Sequence, residues 1–249
     1  MLIKNKTSIE KMRIAGRLLA QAMQEIEKHI KEGVTTLELD SIIEKNMRKQ
    51  GLKPECKGYG GYQYATCISL NEVIVHGVPS KDIVLKSGDF VKIDVVGSYK
   101  GYCADIARYF FVGQVSPLVK KMANVIQLAL DKAIEKAIVG NKLSDVSATI
   151  QKIIEDNGFS VIRHFSGHGI GRALHEEPSI PNYVDNSSEI ILQEGMTLAL
   201  EPMMASGDYD VKIMSDGWTA MTADGGLAAH VEDTIAIGKN GAEILTRMS

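Results

Sequence analysis

Only three cysteines, Cys56, Cys67 and Cys103, occur among the 249 residues, and none falls in a C-x-x-C pair. An odd, scattered set disfavours a disulfide scaffold and a cysteine-based zinc site, and leaves the thiols to read as small buried hydrophobes. The chain has no Walker loop, no complete G-x-G-x-x-G, no H-E-x-x-H and no G-x-S-x-G. The common nucleotide, zincin and serine-hydrolase signals are therefore missing. No apolar run approaches the ~18 residues that cross a bilayer, and Met1 to Glu10 has no apolar signal core, so a cytoplasmic protein without membrane contact is expected. Neither charge dominates: 28 basic and 31 acidic residues leave −3, which argues against a sequence-specific nucleic-acid or membrane-surface role. Linkers of low complexity and internal sequence repeats are absent as well, which predicts a single domain over residues 1–249.

What is present is an ordinary globular composition, 45% hydrophobic and 24% charged, with periodic helix and strand signals. Thr7 with Glu10 forms a candidate capping box ahead of a helical pattern from Ile9 to Ile30 that should stop near Gly33. Thr35 with Glu38 opens a second helix ending at Gly51. Pro117 starts a third that runs through Ile138 to Gly140, and a fourth spans about Leu143 to Asp156. Strand signals lie at 65–70 and 73–75, and again at 160–163, 196–201, 218–222, 227–236 and 242–245. Two rounds of paired helices followed by strands predict an α+β fold of two similar halves.

The chemistry is carried by ionisable groups placed inside apolar runs. Asp94, Asp105, Glu201 and Glu232 each lie in or beside a strand pattern, and a buried carboxylate costs several kcal/mol unless a cation compensates it. Phe90 to Val112 reads as a hairpin around Gly-Ser-Tyr-Lys-Gly; a turn centred on Tyr99-Lys100 places Asp94 directly opposite Asp105, where like charges repel unless metals are shared. Taken singly, either aspartate also fits an edge-strand charge that discourages aggregation, and a single glutamate fits a surface acid. His168 sits among Gly167, Gly169 and Gly171, a setting of tight turns that suits ligation better than packing, whereas His175 alone divides evenly between a structural and a functional reading. Pro202 bars continuation of a central strand, leaving Glu201 at its end.

Together, Asn71-Glu-Val-Ile-Val-His76-Gly, Lys92-Ile-Asp94-Val, Asp105, Gly167-His168-Gly-Ile-Gly-Arg-x-x-His175-Glu-Glu-Pro, Glu201-Pro-Met and Val231-Glu232-Asp-Thr resemble type I methionine aminopeptidase of peptidase family M24 over nearly the whole chain. The resemblance implies the pita-bread fold, a pseudo-twofold α+β domain whose curved antiparallel sheet holds two divalent ions. Asp94 would chelate one ion, His168 and Glu201 the other, and Asp105 and Glu232 would bridge them. Four carboxylates and a neutral imidazole then balance two dications, with room for a bridging hydroxide that attacks the peptide carbonyl. Oxygen-rich ligation suits Mn, Fe(II), Co or Zn. Glu201 would also shuttle the proton, His175 would stabilise the oxyanion, and His76 would contact the scissile amide.

By the same resemblance the substrate is an N-terminal methionine followed by a small residue. Its pocket would be Cys56, Tyr59, Tyr62, Cys67, Leu174 and Trp218 together with His76 and His175; all six of the former could equally be plain core. The implied partners are the N-termini of nascent polypeptides, with room for a transient ribosome contact, and a monomer is expected. Leu174 departs from a common phenylalanine, Gly60 and Gln63 from a histidine and a proline, and His230 and Asp233 from a glutamine and a histidine. With no room for a large domain before Ile9, no long insertion and no zinc-finger extension, the short bacterial form is the expectation. An X-Pro-cleaving relative and a pita-bread binding protein without catalysis are the alternatives.

Overall fold

Asn5, rather than Thr7, caps the first helix. Its side chain accepts the Ser8 amide at 2.9 Å, so α1 spans Lys6–Ile26 and passes into a single 3-10 turn at Glu27–His29. Asn offers a carbonyl oxygen of the right reach two residues earlier than the box read from sequence. The computed structural model describes residues 3–185 and 190–248. Thr35 and Glu38 do form a reciprocal capping box, and α2 covers Thr36–Lys49. Pro117 opens α3, Pro117–Lys136, which ends before Ile138, and α4 spans Leu143–Asp156.

Among the described residues the strands form one nine-stranded antiparallel sheet and two three-stranded ones. Along the large sheet, Lys53–Pro54, Phe90–Tyr99, Tyr102–Phe111, Glu232–Gly238, Thr197–Leu200, Ser166–Gly169 and Glu176–Pro181 follow one another, with Cys67–Leu70 beside Phe90–Tyr99 and Gly241–Ile244 beside Glu232–Gly238. The first helix pair packs on Val91, Ile93, Val95, Ala104 and Ile106, and the second on Leu198, Leu200, Ile235 and Ile237. Side chains alternate across a strand, so the residues between these point to the face away from the helices. Asp94, Val96, Asp105, Ala107, Ala199, Glu232, Thr234 and Ala236 are thereby placed on one common face. The two halves predicted from element order are two helix pairs sharing one sheet.

The hairpin register differs from the expected one. Tyr99 pairs with Tyr102 instead of lying in the turn, so the turn is Lys100-Gly101, both left-handed at φ 50 and 75. That two-residue turn matches the twist of paired strands. Asp94 consequently faces Ala107, and Asp105 faces Val96: the aspartates are diagonal neighbours on one face, not directly opposed.

The apolar stretch 227–236 is also not one strand. It breaks at Val231 into Ala228–His230, which pairs with Met203–Ala205 in a small sheet, and Glu232–Gly238 in the large one. Beside the break, fully buried Asp233 accepts hydrogen bonds from Arg108 Nη2 (2.6 Å), Thr246 Oγ1 (2.7 Å) and Arg247 Nε (2.7 Å). This network ties the last strands to the hairpin. The glycine-rich segment read as tight turns instead forms two paired strands, Ser166–Gly169 and Glu176–Pro181, around the bend at 170–175.

Candidate metal centre

Register alone gathers the carboxylates. Ala107 pairs with Asp94 on one side and Glu232 on the other, and Asp105 lies two residues away on the same face of that central strand. The pairing of Asp233 with Leu200, continued by one residue, brings Glu201 beside Glu232. On the far side of Thr197–Leu200, His168 pairs with Ala199. Close approach there needs Gly167, because a Cβ on it would lie 2.5 Å from the Ala199 carbonyl oxygen.

The side chains converge accordingly. Asp105, His168 and Glu232 each offer a donor atom within 4.8 Å of the others'. His168 Nε2 is 3.5 Å from Glu201 Oε1 and 3.7 Å from Asp105 Oδ2. The other ring nitrogen, Nδ1, is 2.9 Å from the Gly169 carbonyl, which can only accept. The proton is thus on Nδ1, and Nε2 presents its lone pair to the carboxylates. Asp94 opens onto the same cavity.

Electrostatics show what the cluster lacks. Burial, reinforced by the neighbouring negative charges, pushes Asp105, Glu201 and Glu232 well above the usual carboxylate range, and burial raises Asp94 to about 7. Burial also holds His168 down at about 4, so its imidazole is neutral. Among the described residues these carboxylates form no ion pair with a lysine or arginine, and Asp105 Oδ1 and Glu232 Oε1 are buried without a hydrogen-bond partner. Orphaned buried oxygens cost on the order of 1–3 kcal/mol each unless compensated. Oxygen donors around one neutral imidazole fit divalent cations of the Mn, Fe(II), Co or Zn kind.

The carboxylates form one end of a cavity of about 120 Å³ whose other walls are mostly apolar. Cys56, Tyr62, Cys67, Leu174 and Trp218 line it, with Tyr59 at its rim. Tyr62 stacks edge-on against Trp218 at 5.0 Å and donates to the Thr66 carbonyl at 2.9 Å. Burial raises the Cys56 and Cys67 thiols, keeping them protonated and apolar. The loop before Cys67 is pinned by Asp40 Oδ1, which accepts from Ala65 N, Thr66 N and Thr66 Oγ1.

His76 and His175 flank the cluster. His76 adopts a left-handed φ of 58 just after the Val73–Val75 strand and meets the Phe165 ring at 5.3 Å. The turn before it is held by Lys92, a buried side chain whose Nζ donates to the Asn71 carbonyl at 2.9 Å. His175 sits edge-on to His168 at 4.4 Å, with its Nδ1 2.8 Å from the Tyr59 hydroxyl. Its loop is braced by Glu176, whose Oε1 accepts from the Arg172 and Ala173 amides and whose Oε2 accepts from Lys4 Nζ at 2.6 Å. Burial lowers both histidines, His76 to about 4.

Two neighbours were not anticipated. Val96 lines the cavity, a place that strand alternation from Asp94 already implies. His230, fully buried, points an unpartnered Nε2 at Glu201 Oε2 from 3.8 Å. Its strand belongs to a different sheet, and sequence spacing carries no signal of that approach.

A family model for metallopeptidase family M24 matches residues 10–239. The chain belongs to family M24. The methionine aminopeptidase of Clostridium acetobutylicum is 44% identical over 245 residues, covering 98% of each chain. The crystal structure of methionine aminopeptidase from Thermotoga maritima superposes with a TM-score of 0.97 at 46% identity and covers all of both chains. Prolidase from Pyrococcus furiosus reaches 0.81 at 27% identity, covering 99% of this chain but 66% of its own. Metallopeptidases of family M24 use divalent metal, and the sheet and flanking helices are those of its pita-bread fold. No helix among the described residues is long and apolar enough to cross a membrane.

Proposed function

We propose that this chain is a type I methionine aminopeptidase, which removes the N-terminal methionine from nascent proteins and peptides whose second residue is small. The observation that carries the reading is a row of charge-starved carboxylates at one end of a small cavity walled by thiols and aromatic rings. Soft, apolar groups of that kind suit a thioether side chain. The relatives named methionine aminopeptidase support the same substrate.

In this reading Asp94 would hold one divalent ion, His168 and Glu201 a second, and Asp105 and Glu232 would be shared between them; Mn, Fe(II), Co and Zn all fit the donors. When bound, such ions supply Lewis-acid activation of water and of the peptide carbonyl. Glu201 takes a proton from the attacking water and returns it to the nitrogen of the leaving amine. His175 donates a hydrogen bond to the carbonyl oxygen as negative charge builds on it, and His76 contacts the scissile amide. The apolar wall of Cys56, Tyr62, Cys67, Leu174 and Trp218 receives the methionine side chain and excludes water from it.

Residues 1–249 are read as one catalytic domain, working as a cytoplasmic monomer on nascent N-termini, with a transient ribosome contact. The test is methionine release from Met-Ala-Ser by metal-free protein titrated separately with Mn, Fe(II), Co and Zn, beside an X-Pro peptide. Metal-dependent release from Met-Ala-Ser is the expected result. Cleavage confined to X-Pro would move the chain to the prolidase branch, and no cleavage with any metal would leave a binding protein.

A further inference from the structure

Tyr59 stands apart from the other walls of the cavity. Its ring is 48% exposed, and it rides on a 3-10 turn, Tyr59–Gly61, flanked by Gly58 at φ 96, with Gly60 and Gly61 at φ 54 and 91. The turn is anchored rather than loose: the Tyr59 amide donates to Cys56 O at 3.0 Å, Gly58 N to Tyr62 O at 2.7 Å, and a Cβ on Gly60 would lie 3.1 Å from the Trp218 ring. From this platform the hydroxyl reaches across 116 positions of sequence to His175 Nδ1 at 2.8 Å, and the two rings meet edge-on at 5.3 Å.

A neutral imidazole carries one N–H and one bare nitrogen, and the partner of one nitrogen decides the state of the other. Bonded to a carbonyl, as His168 is through Nδ1, the ring keeps its proton there. Bonded to a hydroxyl, which can donate or accept, the ring can take either tautomer, and the proton sits on Nε2 when the hydroxyl donates. The two neighbouring imidazoles therefore need opposite tautomers, one to offer a lone pair and one to offer a proton. The Tyr59 hydroxyl at His175 Nδ1 can stabilise the second by donating to it.

We propose that the Tyr59 hydroxyl donates to His175 Nδ1 and thereby fixes His175 as the Nε2–H tautomer, which makes Tyr59 a positioning residue for the donor that faces the scissile carbonyl. The catalytic part of this proposal rests on the aminopeptidase reading; the tautomer does not. Because Tyr59 also forms the rim of the cavity, a side chain that fills the cavity packs against the ring that sets His175. Substrate seating and readiness of the donor are then one event.

The test compares the full-length parent with Tyr59→Phe, which keeps the ring and removes the hydroxyl alone. [15N]Histidine NMR of metal-free and zinc-loaded protein, with the His175 signals assigned by their loss in His175→Gln, reads the tautomer directly. The expected result is a bare Nδ1 and protonated Nε2 in the parent, a mixture of tautomers in Tyr59→Phe, and a kcat on Met-Ala-Ser lower by at least about tenfold, with KM changed less than about twofold. A parent protonated on Nδ1 would overturn the proposal, as would a Tyr59→Phe protein with unchanged tautomer and kcat. Failure of the parent to release methionine would sink the aminopeptidase reading, while the spectrum would still decide the tautomer.

Discussion

Asp94 and Glu232 are both register partners of Ala107, one from each adjoining strand. The smallness of that central side chain leaves the space between two carboxylates open on the face they share. Ala107→Leu should fill it. Overpacking of this kind costs about 1–3 kcal/mol of stability. The larger expected effect is loss of tight divalent-metal binding in isothermal titration, with a fall of at least about a hundredfold in methionine release; metal affinity equal to the parent's would refute the geometric role given to Ala107.

Asp105 and Glu232 carry the orphaned oxygens and are the proposed bridging ligands. Asp105→Ala and Glu232→Ala should each lower bound metal below that of the parent, measured by elemental analysis after dialysis, and reduce turnover by several orders of magnitude. Full activity at unchanged metal content in either variant would make the bridged arrangement wrong.

In the metal-free protein the buried carboxylates should contribute less stability as pH rises. For Asp94, burial raises the folded pKa to about 7 from an ordinary value of 3.8. The folded form then binds more protons than the unfolded form between those values, so stability is fully present below about pH 4 and is lost as pH climbs towards 7. Asp105, Glu201 and Glu232, raised in the same direction, add to the slope. Thermal unfolding in a chelator across this window should show a falling Tm from this cluster, and a divalent cation at pH 7 should raise Tm and flatten the dependence. Buried His76 and His168, lowered to about 4, oppose this slope between about pH 4 and 6.5, so the deciding comparison is with Asp94→Asn: a pH dependence of Tm unchanged by that substitution would contradict the burial of Asp94.

Lys4 and Glu176 form an ion pair with side chains only 7% and 11% exposed. Lys4→Ala leaves Glu176 charged and half-released from the bend that carries Leu174 and His175. Breaking such a pair should cost about 3 kcal/mol. Turnover should drop by roughly tenfold through misplacement of His175. Urea unfolding coupled with steady-state kinetics tests both parts, and a stable variant with unchanged kcat would show that the N-terminal segment does not brace the bend.

The parts legible in the sequence are those written locally. Thr35 with Glu38 and Pro117 announce their helix starts because capping involves residues three or four apart. Asp94, Asp105, Glu201 and Glu232 announce themselves because charge inside an apolar strand pattern has a cost that only a compensating group removes. The hairpin register was not legible, since it depends on Lys100, an ordinary L-residue, adopting a left-handed backbone next to Gly101. Nor was Asn5 preferred to Thr7, as both are good caps and only the packing of α1 chooses between them. Long-range partners such as Lys4 with Glu176, Lys92 with the Asn71 carbonyl and His230 with Glu201 are set by the folded arrangement of distant strands.

The division of the five proposed ligands between the two helix-backed halves bears on biogenesis. Asp94 and Asp105 come from the first hairpin, whereas His168 and Glu232 lie in two separate strands of the second half and Glu201 just past the end of a third, Glu232 being in the final strand pair of the large sheet. A chain still emerging during synthesis can pair the aspartates but has no imidazole or glutamate to set against them. Assembly of the full proposed ligand set would therefore follow long-range strand pairing, the slow part of folding. An enzyme proposed to trim chains as they are made gains its own competence only after Glu232 has been made and paired.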